Sequence, residues 1–391
     1  MTIRYLAREI ESEIKRAARE FPVVVLTGPR QTGKSTLLGK LFPRHRVAPL
    51  DDRLTQKTAL EDPDLFFENF PPPVLIDEIQ HVPQLLPLIK MRADEHRRHC
   101  GRFILTGSQV FPLMSGIAES LAGRAALFEL LGFSWKELGN QLVSAGACFD
   151  RIFKGFYPDP AVHGVSPKNF YGAYIKTYLE RDIRQIQSVQ DLALFHGFLE
   201  LLAARTASLL NLNEISKECG ISHTTARQWL SLLESTRIVY LLRPYHKNIS
   251  KRVVKSPKLY FTDTGLLAHL LKYPDSRTLE AGPMGGAFFE NMIVLELLKA
   301  KFNRNSPAEL YFFRDSNHNE VDLIIESGKG LVLAEIKTAR SLRTEFADTM
   351  TRVMKNFNVH SAHVISMAPD EIRLTRLVSA RHWSRAADLI Y

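Results

Sequence analysis

The sequence predicts an α/β chain with a parallel-sheet domain first, a helical region with a helix-turn-helix next, and a small α/β domain last. Three observations predict it. Val23–Leu38 reads V-V-V-L-T-G-P-R-Q-T-G-K-S-T-L-L: an apolar, β-branched strand, a loop bounded by glycines and a helix start. Val74-Leu75-Ile76-Asp77-Glu78 is a buried-strand pattern ending in two carboxylates. Residues 320–337 read as two strands joined by a Ser-Gly-Lys-Gly turn, with Glu-x-Lys closing the second. At 391 residues the chain accommodates more than one core, and boundaries are expected to give regions 1–150, 151–280 and 281–391.

Composition narrows the class. Hydrophobic residues make up 45% and charged residues 24%, ordinary values for a globular protein. Cys100, Cys148 and Cys219 form no C-x-x-C pair, which argues against a structural zinc and for a reducing compartment. No apolar run reaches membrane-spanning length, and acids among the first twenty residues fit neither a signal nor a transit peptide, so a cytoplasmic location is expected. The net charge of +9 leans towards polyanionic partners.

In chain order, residues 2–20 read as an amphipathic helix with Ile3, Leu6, Ile10 and Ile14 at helical spacing. Pro22 opens the first strand. The loop Gly28-Pro29-Arg30-Gln31-Thr32-Gly33-Lys34-Ser35-Thr36 is built for a triphosphate. Gly28 and Gly33 permit a tight path that aims N–H groups at phosphate oxygens, and the helix start adds favourable field. Lys34 reaches the β- and γ-phosphates, and the Ser35 hydroxyl is a Mg²⁺ ligand. Val47–Leu50 is a short second strand. Asp77 then holds Mg²⁺ through water and Glu78 polarises the attacking water, the alternative being an acidic pair capping a strand. Phe103–Leu105 is a third strand, ending in Thr106-Gly107-Ser108-Gln109. Ser108 is a candidate contact to the γ-phosphate or the water, against a plain turn residue. A helix over Leu113–Leu121 leads to Arg124, a candidate for offsetting transition-state charge in cis or from a neighbouring subunit, against a surface charge. Ala125–Leu131 is a further apolar segment.

Residues 22–135 resemble an AAA-type ATPase core. The segments G-P-R-Q-T-G-K-S-T, L-I-D-E-I-Q, L-T-G-S-Q and L-A-G-R, with Y-L-E-R-D-I (178–183), Y-F-T-D-T-G-L (260–266) and 320–337, resemble a bacterial and archaeal family of ATP-binding proteins. That family joins the core to a C-terminal domain of formerly unknown function, and the resemblance covers essentially the whole chain. It implies a P-loop NTPase domain, ATP and Mg²⁺. Ser108 stands where many AAA proteins have asparagine.

In the middle, Phe156–Pro160 reads as a loop and Tyr171–Ile186 as a helix, on which Arg181 is either one partner of a surface ion pair or a second nucleotide sensor. Leu192–Leu202 is an apolar helix. Asn213 is expected to cap Glu214–Cys219, Gly220 to turn the chain, and Ser222 to cap His223–Leu233 before a strand at Ile238–Leu242. This is the order of a winged helix-turn-helix. In the wing's place, residues 246–258 hold Lys247, Lys251, Arg252, Lys255 and Lys258 with no acid. Thr224, Thr225, Arg227 and Gln228 are types that reach phosphates and base edges, so nucleic acid, DNA before RNA, is the expected partner.

The last third begins at Gly282-Pro283 and Gly285-Gly286, followed by a helix over Ala287–Phe302 carrying Glu290. Asp322 on one strand and Glu335 on the next are hard oxygen ligands for Mg²⁺, Lys337 on Glu335's face positions water or offsets developing charge, and Glu290 completes the set, the alternative being a surface Glu-x-Lys. This segment resembles the PD-(D/E)xK nuclease superfamily, with Val321 where proline is frequent. The expectation is an ATP-hydrolysing protein, homo-oligomeric if Arg124 acts in trans, that controls a nuclease-like region. A nucleotide-dependent protein-binding switch with an inactive nuclease fold is the alternative, and a transcription regulator using the winged helix is a third.

Overall fold

The structure is a computed structural model that describes residues 5–96, 99–108, 120–139, 144–179, 192–245, 255–355 and 357–390. Five parallel strands form the first sheet: β1 (Val23–Thr27), β2 (Arg46–Pro49), β3 (Val74–Asp77), β4 (Phe103–Gly107) and β5 (Ala125–Glu129). Their spatial order is β2-β3-β4-β1-β5. All five residues of β1 are buried, as expected for a central parallel strand covered on both faces. One face packs on Ile10, Ile14, Leu37 and Leu38, and the other on Phe66, Phe67, Leu86 and Ile89. Because β4 lies between β1 and β3, the loops after these three strands converge at one sheet edge.

The second sheet has eight strands in the order β13-β12-β11-β10-β9-β7-β8-β6. These are β6 (Ser208–Leu209), β7 (Val239–Pro244), β8 (Lys258–Phe261), β9 (Glu309–Arg314), β10 (Glu320–Ser327), β11 (Gly330–Lys337), β12 (Val359–Ser366) and β13 (Val378–His382). The pairing of Arg243 with Tyr311 and Pro244 with Phe312 carries this sheet across residue 280. One apolar cluster runs from Leu131 to Ile390, across the expected boundary at 280/281. Through it passes the helix Gly285–Asn303, buried on nearly every side and about 28 Å long at 1.5 Å per residue.

Local expectations shift in places. Of the helix expected over 2–20, residues 2–4 lie outside the described residues, residues 5–10 are not helical, and Glu11–Glu20 forms the helix. Upstream of it, Glu11 accepts the Tyr5 hydroxyl at 2.6 Å and the Arg8 N–H at 2.9 Å, leaving residues 5–8 to run along the phosphate loop. Asn211, not Asn213, caps the helix Leu212–Cys219 by accepting the Glu214 N–H. Pro158, at the first helical position, starts a short helix over Pro158–Val162 where a loop was expected. Helix Pro167–Tyr174 continues as a π-helical turn, Ile175–Leu179, and Arg181 lies outside the described residues. So do the expected helix at 113–119, and Lys247, Lys251 and Arg252.

Candidate active site and the carboxylate cluster

The phosphate loop follows β1, and its geometry explains its glycines. A Cβ on Gly28 would fall 2.1 Å from the Leu130 carbonyl oxygen, and Gly33 takes the left-handed conformation (φ 87°) at the start of helix Lys34–Leu41. Thr32 Oγ1 donates to the Pro29 carbonyl at 2.9 Å, tightening the loop. Lys34 is buried, and its ammonium donates to the Gly28 and Pro29 carbonyls at 2.9 Å each. Burial pushes its pKa below the usual lysine value, against the pull of Glu78 and Asp77.

Ser35 Oγ donates to the Asp77 carboxylate at 2.7 and 3.0 Å, joining the loop to the end of β3. A hydroxyl and a carboxylate in contact are hard oxygen donors that fit Mg²⁺. Glu78 follows in the left-handed region (φ 59°), a strained position for a residue with a side chain. Thr106 at the end of β4 holds it there. Its hydroxyl accepts the Glu78 N–H at 2.9 Å and donates to Asp77. The Gln80 amide bonds both the Glu78 carboxylate and, at 3.0 Å, Ser108 Oγ. Burial opposes the charged form of Glu78, but Lys34, Gln80, Arg30 and Ser108 outweigh it and hold the carboxyl below its usual range.

Gly33, Lys34, Ser35, Asp77 and Glu78 line a cleft of about 270 Å³ together with Arg30, Gln31, Thr36 and Asp51. A second, more apolar cleft of about 360 Å³ adjoins it, sharing Gln31, Gly33 and Thr36 and walled by Tyr5, Leu6, Phe133, Pro158 and His163. Arg124 is elsewhere. It opens β5 at the opposite end of the strands from the phosphate loop, where it pairs with Asp94 at 2.9 Å. Action in cis is ruled out by that position.

A buried polar spine leads away from the loop. Arg8 bonds Glu137 at 3.0 Å, the Thr32 carbonyl at 3.2 Å and the Leu131 carbonyl at 2.9 Å. Glu296, on the long helix, accepts the Trp135 N–H at 2.7 Å and pairs with Lys299, whose ammonium sits 3.5 Å from the centre of the Phe156 ring. The same helix carries Glu290 near its other end.

There the expected second site takes a different form. Asp322 and Glu335 lie on neighbouring strands β10 and β11, and Lys337 pairs with Glu335 at 2.7 Å. Asp322 Oδ2 accepts the Ile336 N–H at 2.9 Å. Burial and the charge of Asp322 push the pKa values of Glu290 and Glu335 up. Lys258, expected on an exposed wing, is instead 3% exposed and lies among the acids, contacting Glu290, Glu320 and Asp322. Among the described residues, no three His, Cys, Asp or Glu side chains converge to hold a metal ion. The set Glu290, Asp322 and Glu335 does not fit Mg²⁺ in this arrangement.

Comparison with known proteins places the chain. Residues 20–139 match the model of an AAA domain, residues 147–277 a domain of unknown function (DUF8612), and residues 285–383 another (DUF4143). Uncharacterized protein Rv2008c of Mycobacterium tuberculosis and uncharacterized protein Mb2031c of Mycobacterium bovis are each 34% identical over 357 residues. The alignment spans 87% of this chain and 77% of each relative. The chain belongs to their family. Its N-terminal part is an AAA-type ATPase domain. Among solved structures, a Walker-type ATPase of Pyrococcus abyssi matches with 16% identity and a TM-score of 0.44, over 67% of this chain and 94% of that one. No helix of the described residues is long and apolar enough to cross a membrane.

In this family member, the sequence points to the loop, Asp77 and Glu78 but not to Thr106, Gln80 or the wall of the apolar cleft. Thr106 and Gln80 were visible only as neighbours of the residues named. Tyr5 and Phe133 carried no signal, since nothing local relates them to residue 33. Nor did the basic run reveal that Lys258 turns inward.

Proposed function

We propose that the chain binds and hydrolyses ATP with Mg²⁺ and uses the nucleotide state to govern a DNA-binding, nuclease-like C-terminal region. The Ser35–Asp77 contact, set beside an ionised Glu78, carries the reading. The triphosphate lies on the N–H groups of residues 30–35 at the N-terminus of helix Lys34–Leu41, and Lys34 turns from its loop carbonyls to the β- and γ-phosphates. Ser35 Oγ and the Asp77 carboxylate are the residues that would hold Mg²⁺, which when bound would neutralise charge on the phosphate oxygens. Glu78 takes the water's proton as the water attacks the γ-phosphorus, the bond to the β,γ-bridging oxygen breaks and ADP leaves with that oxygen. Thr106 fixes its backbone, and Gln80 and Ser108 fix its carboxylate. The base enters the apolar cleft against Tyr5, Phe133 and Pro158.

The nucleotide state reaches the C-terminal region through Thr32, Arg8, Glu137 and the long helix, whose Asn303 approaches Glu137 at 3.5 Å. The elements from helix Leu192–Ala203 to β8 support a winged helix, with Thr224, Arg227 and Gln228 exposed and Thr225 spent on the Ser222 cap. DNA before RNA is the partner, in a cytoplasmic homo-oligomer in which Arg124 acts on a neighbour's nucleotide. ATP turnover with and without duplex DNA tests this. Lys34→Ala is expected to abolish turnover, Glu78→Gln to keep ATP binding while losing it, and DNA to change the wild-type rate. Full turnover by Lys34→Ala overturns the reading.

A second reading, a nucleotide-dependent protein-binding switch with an inactive nuclease fold, is favoured by one observation: Lys258 among the carboxylates.

A further inference from the structure

β8 belongs to the middle region, yet its first residue reaches into the C-terminal cluster. The Lys258 ammonium is 2.6 Å from Glu320 Oε1, 3.1 Å from Glu290 Oε1 and 3.4 Å from Asp322 Oδ1. Two residues on, and so on the same strand face, the Tyr260 hydroxyl donates to Glu290 Oε1 at 2.7 Å. The Phe312 ring, 5.7 Å from the ammonium, closes the apolar side. An ammonium has three donors and no acceptor, and here three carboxylates from the long helix and β10 surround it. Other cations pair with the flanking acids: Arg314 is 3.0 Å from Glu320, and Lys337 is 2.7 Å from Glu335 Oε1, while Glu335 Oε2 has no hydrogen-bond partner among the described residues.

The charges explain why such an arrangement is stable. Glu290, Glu320 and Asp322 each contact Lys258, and Glu335 pairs with Lys337 on the neighbouring strand, all at low exposure, and uncompensated buried charge is strongly unfavourable. A divalent ion held by the Glu290 and Asp322 carboxylates would need their oxygens at about 2.0–2.6 Å, and Lys258 already occupies one oxygen of each. It would then stand within a few ångströms of an ammonium already on those atoms. The two cations exclude each other.

We propose that Lys258 is the resident cation of this cluster, an intramolecular ammonium that takes the place of a divalent ion and bars metal-dependent cleavage while it stays there. The lysine also locks the middle region to the long helix and β10. This inference concerns the carboxylate cluster alone and stands whether or not the phosphate loop hydrolyses ATP.

Mn²⁺ binding to the full-length, nucleotide-free chain, counted by electron paramagnetic resonance at pH 8, tests it. Ser35→Ala is present throughout to remove the phosphate-loop contribution. The parent is expected to bind Mn²⁺ equally with and without Asp322→Asn. Lys258→Met is expected to gain one Mn²⁺ per chain and to lose it again when Asp322→Asn is added. Lys258→Arg, which keeps the positive charge, is expected to gain none. If Lys258→Met does not fold, the parent and Asp322→Asn still decide: equal binding supports the lock. Mn²⁺ binding by the parent that Asp322→Asn abolishes overturns it, as does a folded Lys258→Met that gains no ion.

Discussion

Replacing Arg8 by methionine separates the phosphate loop from the rest of the molecule, and the structure sets the size of the effect. The Arg8 and Glu137 side chains are 4% and 1% exposed, so the substitution strands a buried carboxylate. Breaking such a pair from one side costs about 3–5 kcal/mol. Glu137 keeps the N–H groups of Glu9 at 2.8 Å and Ser134 at 2.7 Å, which places the loss near the lower end, about 3 kcal/mol. The carbonyls of Thr32, Leu131 and Gly132 lose their donor, and the Phe133 ring loses a guanidinium 4.5 Å from its centre. Urea denaturation read by tryptophan fluorescence suits the test, since Trp135 packs edge-on to Trp383 at 4.4 Å beside this network. With a slope of about 1–3 kcal/mol/M, the midpoint should fall by roughly 1–3 M. ATP affinity should fall several-fold, because the Thr32 carbonyl belongs to the phosphate loop. Adding Glu137→Met removes the stranded charge, so the double variant should be more stable than Arg8→Met alone. Arg8→Met with a wild-type midpoint and affinity, or a double variant that merely sums the two losses, refutes this account.

Three further outcomes follow from the site. Thr106→Val removes the acceptor of the Glu78 N–H and a donor to Asp77, so turnover should fall roughly 10- to 100-fold at little-changed nucleotide affinity, read as kcat against Kd. Because the Glu78 pKa is depressed, its carboxylate stays charged as pH falls through the ordinary carboxylate range. The pH–rate profile should therefore show no acid limb above about 4.3, and a limb near pH 6–7 would contradict the assignment. Arg124 is tied to Asp94 far from its own phosphate loop, so Arg124→Ala should leave ATP affinity intact and remove only turnover that rises with protein concentration. A wild-type rate per chain that is independent of concentration would dismiss the in-trans role.

The sequence by itself determined what depends on neighbours in the chain. The loop at 28–36, the strand ending in Asp77 and Glu78, the Ser222 cap, the Gly220 turn and the β10–β11 hairpin are each written in consecutive residues, because strand, turn and cap preferences are local. Tertiary structure decided whatever depends on distant segments meeting. Only the strand order β3-β4-β1 brings Thr106 between Asp77 and the phosphate loop, and only the return of residues 5–8 and 158–163 builds the apolar cleft beside Gly33. The pairing of β7 with β9 runs the sheet past the glycines at 282–286, which no local pattern shows. Lys258 shows the difference most sharply. A lysine in a basic run reads as solvated, since local sequence carries the charge but not its surroundings, and it took Glu290, Glu320 and Asp322, 32 to 64 residues away, to turn it into an internal counter-ion.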